Sequence, residues 1–90
     1  MKKALVSVTG VDKPGIIAKV STALYELNVN VLEISQTILD GYFTMLMIVD
    51  VTAATVPFAD ISARLNQVGQ ELGEAVNIQR EDIFDAMHRI

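Results

Sequence analysis

A chain of 90 residues, 51% hydrophobic and 20% charged, fits one folded domain spanning 1–90 and is too apolar to stay disordered. Its net charge is −4 and its seven lysines and arginines are scattered, so no basic face exists to replace phosphate counterions, and nucleic-acid binding is not expected. The lack of cysteine excludes disulfides and thiol chemistry and favours a cytoplasmic location.

Met1-Lys2-Lys3 has the charge of a signal-peptide start. The apolar run behind it, Ala4 to Val8, is too short for a leader or a membrane span. Lys3 to Thr9 reads as a strand, with Ala4, Val6 and Val8 on one face and Leu5, Ser7 and Thr9 on the other. Gly10 breaks the alternation, and the loop Val11-Asp12-Lys13-Pro14-Gly15 follows. Ile16 to Leu27 has a helical period, carried by Ile16, Val20 and Leu24 and widened by Ile17 and Leu27. Pro14 suits a helix start, and Asn28, which tolerates a left-handed cap, suits the stop.

Val29 to Leu39 and Tyr42 to Val51 read as strands, joined at Asp40-Gly41 by a two-residue type I′ turn. Pro57 opens a second helix, with Phe58, Ile61, Leu65, Val68 and Leu72 as its apolar stripe. Gly69 weakens this helix and Gly73 ends it. Ala75 to Arg80 reads as a fourth strand, and Glu81 to Arg89 as a short terminal helix charged to suit its dipole.

The order βαββαβ predicts an α+β, ferredoxin-like sandwich: one four-stranded antiparallel sheet, two helices on one face and a short C-terminal helix. The uncovered face should then be polar. Instead the third strand puts Phe43, Met45, Met47, Val49 and Val51 on one side, and Leu46 and Ile48 with Tyr42 and Thr44 on the other. No register makes one side wet, so the free face or edge is expected to be covered by a second copy, as a homodimer. The alternative is the terminal helix folding back through Ile83, Phe84, Met87 and Ile90.

The segment Asp12-Lys13-Pro14-Gly15 is the best candidate for chemistry. Gly15 admits a ligand close to the backbone. The amides of Ile16 and Ile17, in the first helical turn, lack intrahelical partners and suit a carboxylate. Asp12 would attract an ammonium group, and Asn30, opening the next strand, supplies a donor and an acceptor. Together these fit an α-amino acid. The bland reading is equally physical: Asp12 caps the helix, Pro14 starts it, Gly15 closes the turn and Asn30 shapes the next turn.

The loop Gly10-Val11-Asp12-Lys13-Pro14-Gly15-Ile16 and the segment Leu27-Asn28-Val29-Asn30-Val31 resemble an ACT domain. Ile34-Ser35-Gln36-Thr37 and Asp40-Gly41-Tyr42-Phe43-Thr44-Met45 narrow the resemblance to the small stand-alone prokaryotic ACT proteins and the ACT halves of the glycine-cleavage regulator. The resemblance spans nearly the whole chain. It implies a regulatory role, side-by-side or face-to-face dimers, and an amino acid held between subunits. By matching position, it implies that Asp12 and Asn30 hold the ligand and that Gly15, Ile16 and Ile17, in the same loop as the candidate Pro14, offer it backbone N–H groups.

Gln36 joins the candidates because Ile34 and Ile38 share its face and are expected to be buried, and a buried amide needs partners. Asp85 and His88 are three apart but lack a third ligand, so no metal is expected; no cofactor motif exists either. Enzyme chemistry fails on inventory. The single histidine is terminal, and none of the eleven acids is expected in an apolar setting that would tune it. Two readings remain: a homodimeric amino-acid-binding regulatory module, or a protein–protein interaction module with no small ligand.

Overall fold

The computed structural model describes residues 1–81. In chain order the elements are β1 (Lys3–Val11), α1 (Ile16–Glu26), β2 (Asn30–Leu39), β3 (Tyr42–Asp50), α2 (Phe58–Leu72) and β4 (Ala75–Arg80). They form the one four-stranded antiparallel sheet that the sequence predicts, and the structure adds its strand order, β2-β3-β1-β4. The expected terminal helix, with Asp85 and His88, lies outside the described residues. Among the described residues, no helix is long and apolar enough to cross a membrane.

Local chemistry sets the boundaries. Ile16, Val20, Ala23 and Leu24 make the buried stripe of α1. The helix ends where Asn28 turns left-handed (φ 59°), with the Val29 amide donating back to the Leu24 carbonyl at 2.9 Å. Asp40 and Gly41 both have positive φ, at 53° and 79°, as a type I′ hairpin requires. Gly73 closes α2 in the left-handed conformation, and the Glu74 amide donates to the Gly69 carbonyl at 2.9 Å.

The core lies between the helices and the inner face of β1, β3 and β4. Ala4, Val6 and Val8, Phe43, Met45, Met47 and Val49, and Val76 and Ile78 meet Val20, Leu24, Ile61, Leu65 and Val68 there. The open face is mixed rather than dry, correcting the expectation that no side would be wet. Leu46 is exposed and Leu5 and Ile48 are half-buried, but Ser7, Thr9, Thr44, Asn77 and Gln79 stand among them. At the centre of the sheet the inner residues of β3 face apolar β1 partners, Val6 opposite Met47 and Val8 opposite Met45.

Strand β2 behaves differently. Every residue in it is exposed. Ile34, Gln36 and Ile38 pair with Met47, Met45 and Phe43, so they point to the helix side, but they stand at the sheet edge beyond the helices. Ile34 is 50% and Ile38 55% exposed, which overturns the expectation that they bury Gln36.

Gly69 has a packing role that the sequence reading missed. A Cβ there would come within 2.7 Å of the Glu74 carbonyl oxygen and 3.2 Å of Val76. Alanine improves helix propensity by roughly 1 kcal/mol, yet it must push α2 off β4. We therefore expect Gly69→Ala to cost about 1–2 kcal/mol of stability, read as a lower urea midpoint. A raised midpoint would mean that the helix and strand are not in contact at this position.

Candidate functional site

The β1–α1 loop leaves the sheet at Val11. The Asp12 amide donates to the Gly41 carbonyl at 2.8 Å, which fastens the loop to the β2–β3 turn. Gly15 is the N-cap of α1 and is left-handed, with φ 89°. That conformation suits glycine, and a Cβ there would meet open space. No side chain caps α1, so the capping reading of Asp12 is overturned. The first amide of this end with a backbone partner is that of Lys19, which donates to the Gly15 carbonyl at 3.0 Å. The Ile16 and Ile17 amides stand before it, at the positive end of the helix. Ile16 is buried, while Asp12, Pro14, Gly15 and Ile17 are exposed.

Asn30 is elsewhere. It pairs with Asp50, which pairs with Lys3, at the opposite end of the sheet. The nine residues of β1 separate the two ends by about 26 Å at the rise of an extended strand. One chain therefore brings Asp12, Pro14, Gly15, Ile16 and Ile17 together but not Asn30. Gln36 sits midway along the edge and is exposed.

At the Asn30 end, the Asp50 carboxyl is held below its ordinary value of 3.8, chiefly by hydrogen bonds from the Thr52 hydroxyl and amide, the latter 2.9 Å long. A depressed carboxyl favours the folded state above its unfolded pKa. That contribution is lost as pH falls through the lowered value. Replacing Thr52 by Ala should move the Asp50 midpoint up towards 3.8 in an NMR titration. An unmoved midpoint would show that the hydroxyl bond does not form.

Two further features are not among the candidates read from the sequence. Glu74 is a buried acid, 8% exposed, with neither carboxylate oxygen hydrogen-bonded among the described residues. This corrects the expectation that no acid sits in an apolar setting. The signal was present: Glu74 precedes Val76 and Ile78 by two and four residues, so a period of two puts it on their inner face. Lys13 reaches from the loop to the end of α2 and donates to the Leu72 carbonyl at 2.5 Å. A cleft of about 730 Å³, walled by Lys2, Val51, Pro57, Phe58 and Ile61, lies at the far end of the sheet and contains none of the predicted site residues. Glu81, the last described residue, also lines it.

Three comparisons place this geometry among known proteins. The family model of the ACT domain matches residues 2–79. A UPF0237 protein of Methanocaldococcus jannaschii is 50% identical over 90 residues, covering all of both chains. An ACT domain protein from Streptococcus pneumoniae has 41% identity and a TM-score of 0.81, over 97% of this chain and 98% of that one. The regulatory subunit of aspartate kinase from Thermus thermophilus has 26% identity and a TM-score of 0.67, over 87% of this chain and 51% of that one.

Proposed function

This chain belongs to the ACT domain family, and from that premise we propose that it is a regulatory module that binds an amino acid between two copies of itself. The observation that carries the reading is the separation of Asn30 from the β1–α1 loop along a bare edge strand. Two copies joined antiparallel through β2 bring the start of one β2 beside the end of the other. The Asn30 of one copy then approaches the Asp40-Gly41 turn of its partner, which is fastened to Asp12. The loop amides of Ile16 and Ile17 receive the ligand carboxylate, and Asn30 closes the site from across the interface. Ile34, Gln36 and Ile38, exposed in the single chain, are covered by the same pairing.

The similarity to the regulatory subunit of aspartate kinase supports a regulatory role, since that protein is itself a regulatory subunit. The competing reading is a partner protein docking on the open sheet face, favoured by the exposed Tyr42 and Leu46. A thermal-shift panel of the twenty amino acids, run with light scattering, separates the two. The amino-acid reading predicts a dimer and at least one stabilising ligand, worth about 2.7 kcal/mol at 100 times its Kd. A monomer that responds to no amino acid would favour docking.

A further inference from the structure

We infer that the buried carboxylate of Glu74 receives the ammonium group of the amino acid bound at the β1–α1 loop. The inference rests on the amino-acid reading and names the residue that reads the ligand's positive charge. Glu74 follows the left-handed Gly73 at the end of α2 and shares the inner face of Val76 and Ile78. Both its oxygens are shut from water and without a hydrogen-bond partner among the described residues. A buried carboxylate is costly unless a positive group pairs with it.

The carboxylate is placed for the ligand loop. It lies against Gly10, the residue before the last of β1, and a Cβ on Gly10 would overlap its Oε2. Glycine at this position is what lets the carboxylate approach the backbone that leads into Asp12 and Gly15. The nearby cation is engaged elsewhere: the Lys13 ammonium bonds the Leu72 carbonyl, and no ion pair joins it to Glu74. Asp12 is exposed, and an ion pair made in water adds little. A desolvated carboxylate gains far more from the same ammonium group.

A primary ammonium fits better than a metal. Among the described residues there is no group of three acidic, histidine or cysteine side chains to hold a metal ion. The positive end of α1 and the negative charge of Glu74 then meet the two charges of a zwitterion from different sides. The Lys13 side chain, which spans from the loop to α2, must move aside to admit the ligand.

The test compares the wild-type chain, Glu74→Gln and Gly10→Ala in the amino-acid panel, with calorimetry on the best ligand. Glu71→Gln, at an exposed acid three residues earlier in the last turn of α2, serves as the control. Without ligand, Glu74→Gln should melt at or above the wild-type temperature, because an unpaired buried charge is gone. Its affinity should be at least about a hundredfold weaker. Gly10→Ala should lose the ligand by displacing the carboxylate, and the Glu71→Gln control should keep it. The deaminated hydroxy-acid analogue should fail to stabilise the wild type. If Glu74→Gln binds as well as wild type, or the analogue binds equally, this inference is overturned and the amino-acid reading stands. If the wild type answers to none of the twenty, both are overturned. Should Glu74→Gln not fold, Gly10→Ala and the analogue decide by the same criteria.

Discussion

Lysine at both Ile34 and Ile38 is expected to turn a dimer into a monomer while leaving the fold of each chain intact. These side chains are 50% and 55% exposed in the single chain, so the substitutions cost the isolated fold roughly 0.5 kcal/mol or less each. In a dimer joined through β2 they lie at the interface. There an unpaired buried charge costs about 3 kcal/mol or more, enough to raise the dimer Kd over a hundredfold. Sedimentation equilibrium reads the change directly, and circular dichroism checks the fold. The ligand response should vanish together with the dimer. A variant that stays dimeric would move the interface to the open sheet face or another surface.

Leu65→Ala should have the largest effect on stability. Leu65 is fully buried on α2, in the cluster that joins both helices to the sheet. Removing its three outer carbons forfeits their transfer energy and leaves a cavity, for a loss of about 3 kcal/mol. A domain of this length is stable by only some 5–13 kcal/mol, so Tm should fall by roughly 15 °C. The contrast with the lysine pair is informative, because one variant attacks the chain and the other attacks the pairing. A loss below about 1 kcal/mol would contradict the packing of α2 on the sheet.

The fold was legible because local rules agreed with one another. Asn28 and Gly73 stop the helices, Asp40-Gly41 turns the hairpin, and alternation along β1 and β3 sorts inside from outside. The site was only partly legible. Helix start, left-handed Gly15 and unpaired amides follow from adjacent residues, so the loop could be read directly. The distance from Asn30 to that loop depends on how β1 and β2 align across β3, which adjacent residues do not encode. Ile34 and Ile38 misled for a related reason. Their alternation with Ser35 and Thr37 correctly gives a face, but cover comes from helix placement, and the edge strand lies beyond it. Glu74 was missed although its spacing to Val76 and Ile78 points inward, because a charged residue after a glycine cap reads as turn.

The most direct measurement is a complementation experiment with two damaged chains. Asn30→Ala removes the side chain offered from across the interface. Ile17→Pro removes a loop amide while keeping a residue that the first helical turn tolerates. Each variant alone should form dimers that bind no ligand. Co-expressed, the two should yield mixed dimers with one intact site, restoring about a quarter of the wild-type ligand capacity under random pairing. Mixed dimers that stay silent would show that the site does not draw on both chains, and the shared-ligand account would fall.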